Sequence, residues 1–171
     1  MIPKRIAFTS SLPVEVIFAA GHIPVDLNNV FITRDSSKNV QDAELKGFPR
    51  TLCSWIKGNY TAALATNPDL IIGIVEGDCS NSNSLLDMFT EEHLPVYRFS
   101  FPANKNYEDL NKEITRLEEY FGVSRKETLQ AKQRLDEIRR KLIILDEWTW
   151  KEHLVSGLEN HYWLVNSSDF M

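Results

Sequence analysis

One stretch restricts the folds open to this chain more than any other: Leu70-Ile71-Ile72-Gly73-Ile74-Val75, a run without a single polar side chain. A strand wetted on one face alternates apolar and polar residues, whereas a strand covered on both faces has no such need. The run is too short for a typical buried helix, so it reads as the central strand of a parallel sheet. Its surroundings repeat the theme. Arg5–Thr9 is a short buried strand, followed by a helix over Pro13–Ala20 that Gly21 stops. Pro13 and Glu15 suit a first helical turn, where a missing N–H does no harm and a negative charge meets the positive end of the dipole. Ile23–Leu27 is a second strand, and the polar stretch from Thr33 to Asp42 is a surface loop or short helix. A helix from about Leu52 to Ala65 precedes the apolar run. Another, from about Ser80 to Glu92, follows it and leads to a strand at Val96–Phe99. Strand–helix–strand alternation of this kind predicts an α/β fold, a Rossmann-like parallel sheet of about four strands flanked by helices.

The pattern changes after Pro102. Leu110, Ile114, Leu117 and Phe121 recur at helical spacing, as do Leu135, Ile138, Leu142 and Leu145, with Gly122 between the two sets. Ser124-Arg125-Lys126-Glu127 has the form of a capping box, in which serine and glutamate satisfy each other's backbone N–H groups. These features predict a helical hairpin. Trp148–Val165 continues as one more helical pattern rich in aromatics, and the sequence stops at Asn166–Met171 with no obvious terminal cap. A chain of 171 residues can build one substantial core with a helical appendage.

Charge and hydropathy remove several classes of function. There are 24 acidic and 19 basic residues, a net charge of −5, and no basic cluster of the size that tracks a phosphate backbone, so no nucleic-acid partner is expected. No apolar run approaches the ~20 residues that span a bilayer, and the N-terminus lacks the apolar core of a signal peptide. A cytoplasmic protein is the expectation.

Potential chemistry concentrates at one edge of the sheet. Open parallel sheets bind ligands beyond the carboxyl ends of their strands, where the following helices begin. Three polar turns belong there: Thr9-Ser10-Ser11; Gly47–Ser54, which enters the helix near Cys53; and Glu76–Asn81, which contains Cys79. Cys53 and Cys79 are the two cysteines of the chain, and both are expected in the first turn of a helix. A thiol there is biased toward thiolate, the form that ligates metal. A cysteine near a helix start can equally be a small buried hydrophobe. His153, Glu159 and His161, read as lying on one helix, have no recognised metal spacing, and Trp148, Trp150 and Trp163 suit packing or a domain contact.

The stretch Leu12-Pro13-Val14-Glu15-Val16-Ile17-Phe18-Ala19-Ala20-Gly21-His22-Ile23-Pro24-Val25 resembles the opening motif of the 2-hydroxyglutaryl-CoA dehydratase/benzoyl-CoA reductase family. Phe48-Pro49-Arg50-Thr51-Leu52-Cys53-Ser54-Trp55-Ile56-Lys57-Gly58 resembles its first cysteine motif, and Gly77-Asp78-Cys79-Ser80-Asn81 its second. Gly157-Leu158-Glu159-Asn160-His161 is similar to a segment of related single-chain members. The resemblance implies a [4Fe–4S] cluster held by three cysteines, with Cys53 and Cys79 matching the first two. It also implies an ATP-dependent iron–sulfur activator protein that injects a low-potential electron, and a coenzyme A thioester substrate turned into a ketyl radical for elimination or reduction. On that basis residues 1–105 are the cluster-binding lobe, 106–147 the hairpin, and 148–171 a helix leading towards a second lobe or subunit. Ser10, Ser11 and Glu15 would line the same cleft against substrate.

The family's third cysteine is missing here, so the chain is expected to be a fragment or a shortened relative. The uncapped C-terminus favours a fragment. Alone, it is expected neither to complete a cluster nor to act as a lyase. Two rival readings remain. The order of elements also resembles an ABC-transport-like metal-chelate or cobalamin binding module, which captures a ligand without chemistry. A cluster-free interaction domain with inert cysteines is the other.

Overall fold

In the computed structural model, residues 2–33 and 35–170 are described. Met1 in the N-terminal lobe, Arg34 in the Thr33–Asp42 stretch and Met171 at the C-terminal end lie outside the described residues. The apolar run forms most of a strand, and everything else is arranged about it. In chain order the elements are β1 (Arg5–Phe8), α1 (Val14–Ala19), β2 (Ile23–Asp26), α2 (Leu27–Thr33), α3 (Ser36–Leu45) and α4 (Ser54–Thr66). They continue with β3 (Leu70–Glu76), α5 (Ser80–Glu91), β4 (Val96–Ser100), α6 (Tyr107–Phe121), α7 (Arg125–Trp150) and α8 (Gly157–Asn166), and close with a 3-10 turn at Ser168–Phe170.

The four strands are all parallel, in the order β2-β1-β3-β4. Ala7 lies opposite Val25 on one side and Ile71 on the other, and Ile72 opposite Tyr97. This is the predicted α/β architecture, with a C-terminal helical region. Alternation along the strands divides the interior into two layers. Ala7 and Ile71 face α2, α4 and α5 through Leu27, Phe31, Tyr60, Leu85 and Phe89. Ile6, Phe8, Leu70, Ile72 and Ile74 face α1 and the helical hairpin through Val16, Ile17, Leu117 and Leu135. Because both faces of β3 are covered, an uninterrupted apolar sequence suits it.

The Thr33–Asp42 stretch, a loop or short helix by sequence, is not a loop but mostly helix. The Asp35 carboxylate caps α3 by accepting from Lys38 N at 3.0 Å, and α2 begins directly at the end of β2, where Asp26 Oδ1 accepts from Asn28 N at 2.9 Å. Nor is Trp148–Val165 one helix. It is divided between the last turn of α7 and α8, because Ser156 and Glu159 form a capping box that starts a new helix. His153 therefore sits in the connection, at φ 54, and shares no helix with Glu159 and His161. The capping box expected at Ser124 and Glu127 is present at the start of α7.

Candidate functional site

Strand order decides where a ligand would bind. The chain leaves β1 to form β2 on one side, then returns to place β3 on the other, so the connections diverge between β1 and β3. In parallel sheets that divergence opens a crevice at the carboxyl ends of the two strands. Thr9, Ser10 and Ser11 follow β1 at this point, with Thr9 buried, Ser10 half-buried and Ser11 exposed. The turn after β3 carries Gly77, Asp78 and Cys79. Helix α4 runs back toward the amino end of β3, so its own start, at Cys53, belongs to the same edge.

Each cysteine is the N-cap residue of its helix, Cys53 before α4 and Cys79 before α5; α5 starts at the expected Ser80, and α4 starts two residues later than expected, at Ser54. Neither thiol accepts a capping hydrogen bond, and both are exposed. The side chains thus remain available to a ligand rather than closing their own helix ends.

The Cys79 turn is held locally. Gly77 adopts φ 94, and a Cβ there would stand 2.7 Å from Phe101 Cβ, so both backbone shape and space demand glycine. Asp78 Oδ1 accepts from Cys79 N at 2.7 Å, and the Glu76 carboxylate fixes the neighbouring loop by accepting from Ala103 N at 2.8 Å. The Ser82 hydroxyl lies 3.5 Å from Cys79 Sγ. That hydrogen bond is the largest cause holding the Cys79 thiol below its usual pKa; burial and the Asp78 charge oppose it, and the Ser82 and Asn81 N–H groups assist.

The Cys53 turn is held from a distance. Lys57, with only 2% of its side chain exposed, donates from Nζ to Glu44 Oε1 at 2.7 Å and to the Arg50 carbonyl at 3.2 Å. Between the two cysteine turns lies a cavity of about 190 Å³. One wall comes from Lys46, Gly47, Phe48, Pro49, Leu52 and Ile56, the other from Asn81, Ser84, Leu85 and Met88. Cys53 and Cys79 do not line it themselves; Leu52 and Asn81, one and two positions from them in the chain, do.

Glu15 is engaged elsewhere. Its carboxylate, 13% exposed, accepts from Arg139 Nη1 of α7 at 2.7 Å, because α1 packs against the hairpin. Lys57 and Ser82 were not singled out from the sequence. A lysine or serine inside a helix reads as solvent-facing, and only tertiary placement gives these two their partners.

A doubly wound parallel sheet bearing two exposed thiols at helix N-termini defines a class by its fold: α/β proteins with an all-parallel, Rossmann-like sheet. Within that class, the chain belongs to the 2-hydroxyglutaryl-CoA dehydratase D-component family, whose model matches residues 9–171. The match spans Ser10, Ser11, Glu15 and both cysteines. No curated protein matches the sequence.

The thiols suit an iron–sulfur group in chemistry and exposure. A cluster takes about four ligands, and among the described residues no three His, Cys, Asp or Glu side chains gather as a metal site. The described residues alone therefore do not supply a full ligand set. Among the described residues no helix is long and apolar enough to cross a membrane.

Proposed function

We propose that this chain is the cluster-bearing lobe of a 2-hydroxyacyl-CoA dehydratase-type enzyme, with Cys53 and Cys79 as two ligands of a [4Fe–4S] cluster. The observation that carries the reading is the placement of both thiols, exposed and making no capping hydrogen bond, at N-caps on one sheet edge. Bound there, the cluster would supply one-electron chemistry toward a coenzyme A thioester. The remaining ligands would come from a second lobe or subunit, and the electron from an ATP-dependent iron–sulfur activator.

This chain's own residues would do the positioning. The two helix N-termini present backbone N–H groups toward the thiolates, favouring negative charge. The Ser82 hydroxyl, 3.5 Å from Cys79 Sγ, would donate to the thiolate, and the apolar walls formed by Phe48, Pro49, Leu52, Leu85 and Met88 would limit water on one side of the rim. Ser10 and Ser11 offer hydroxyls across the crevice to the polar part of a substrate. Glu15, paired with Arg139, would act by fixing the first turn of α1. Free thiols and a low-potential cluster suit a reducing cytoplasm.

Anaerobic reconstitution of the full chain with iron and sulfide, in the presence of a small thiol as exogenous ligand, tests this reading. A brown protein with iron–sulfur visible absorption is expected, and Cys53→Ser/Cys79→Ser should abolish the colour. Colour persisting in the double variant would remove both residues from the ligand set.

A further inference from the structure

Lys57 carries an ammonium group almost wholly removed from water inside α4. Burying such a charge is costly even when it is paired, and an apolar side chain of similar volume is often at least as stable. A buried lysine is therefore best explained by what its donors hold. Two of them hold the surroundings of Cys53. One reaches Glu44 in the last turn of α3, and the other reaches the carbonyl of Arg50, three residues before the thiol. The Lys57 N–H also donates to the Cys53 carbonyl at 3.3 Å, the first bond of α4.

The segment from Lys46 to Cys53 connects two helices. Its first half is fastened by Gly47 N and Phe48 N, which donate to the Glu44 and Ala43 carbonyls, and by the buried Phe48 ring; beyond Pro49 its backbone support includes the bond from Leu52 N to the Pro49 carbonyl at 3.0 Å. The Arg50 side chain is 93% exposed and lies 3.9 Å from Glu44, too loose to fix anything. The Cys79 turn, by contrast, has its own glycine and Asp78 to define it.

We propose that Lys57 is a positioning residue for Cys53: its buried ammonium fastens the Arg50–Cys53 turn to α3 and thereby fixes where the thiol stands. The purpose given to that placement rests on the two-thiol reading above, whereas the fastening itself does not.

The test uses the full chain without iron, carrying Lys57→Met, which keeps length and volume and removes the charge. Glu44 is 25% exposed and can turn to water. Should the single variant unfold, Lys57→Met/Glu44→Gln leaves no lone charge and serves in its place. Two quantities are read: hydrogen exchange at the Leu52 amide, and binding of Cd²⁺ followed by the cadmium–thiolate charge-transfer band that two thiolates produce. Lys57→Met should speed Leu52 exchange about tenfold or more while exchange in β3 stays unchanged. It should also weaken the cadmium band's affinity by about 10- to 100-fold, the usual effect of losing a residue that orients a ligand. A purely structural lysine would leave cadmium affinity as it is in a variant that still folds. If wild-type and variant chains bind Cd²⁺ equally, or if Leu52 protection does not change, the proposal falls. A wild-type chain with no two-thiolate band would instead defeat the shared-site reading, and Leu52 exchange would still decide whether Lys57 fastens the turn.

Discussion

Cys79 and Cys53 occupy equivalent N-cap positions, but among the described residues only Cys79 has a hydroxyl within hydrogen-bond reach of its sulfur. Ser82 lies one turn into α5, 5% exposed, with Oγ 3.5 Å from Sγ. The hydroxyl stabilises the thiolate over the thiol, so the Cys79 pKa lies below its ordinary value. Replacing Ser82 with alanine deletes the largest cause of that shift and leaves burial and the Asp78 carboxylate, which favour the neutral thiol, opposed only by the backbone N–H groups of residues 81 and 82. Alkylation of Cys79 proceeds through the thiolate, so its pH–rate profile in a Cys53→Ser background should move to higher pH in Ser82→Ala. A profile that stays in place would show that the helix N-terminus alone sets the thiol. The cysteines themselves were legible in sequence because each lies in a polar turn entering a helix, one of them directly after an unmistakable buried strand. Ser82 and Lys57 were not. A serine three residues into a helix and a lysine four residues after a cysteine have no periodic signature, and their partners come from hydrogen-bond geometry and from another helix, α3.

Among the elements, α4 bears most directly on the site, because its start carries Cys53 and its length crosses one face of the sheet. Its close contact with α2 depends on Gly58. A Cβ at that position would stand 2.3 Å from Phe31 Cδ2, and the Phe31 ring is itself enclosed, with its edge against Trp55 at 5.4 Å between centroids. Gly58→Ala should gain up to about 1 kcal/mol in helix propensity. It should lose more than that through overpacking, typically about 1–3 kcal/mol, so the thermal midpoint should fall. Introducing Phe31→Leu alongside should reduce the alanine's added penalty, and equal penalties in the two backgrounds would show that the helices do not meet there. The strands and α4 to α7 were legible because their apolar spacing matches their buried faces. The α7–α8 break was missed because aromatics continue through it. Trp150, Leu154, Leu158 and Trp163 are all exposed, so their spacing reports no buried face, and the Ser156–Glu159 capping box was the signal that marked the new helix.

Across the whole molecule, the decisive matter is whether the hairpin is an appendage or part of the sheet's core. Leu117 and Leu135, from α6 and α7, are 0% and 5% exposed and belong to the same apolar layer as Ile6, Phe8, Ile72 and Phe99. Arg139 reinforces the joint, donating to Glu15 of α1 and, at 3.1 Å from Nε, to the Phe170 carbonyl, while the Phe170 ring stacks on Phe18 at 5.7 Å. Without the hairpin, one face of the sheet and the inner side of α1 would meet water, and burial of that surface is the main term holding such a layer together. We therefore expect residues 1–105 and 106–147 to unfold as one unit, although the composition changes sharply between them. Leu135→Ala should cost about 2–5 kcal/mol, the usual range for a leucine truncated in a closed core. The informative reading is where that loss is felt. In native-state hydrogen exchange, the most protected amides of β3 and of α7 should lose protection by the same amount, because both report global unfolding. If α7 loses protection while β3 keeps its own, the hairpin opens independently, and the boundary near residue 105 divides two cooperative units.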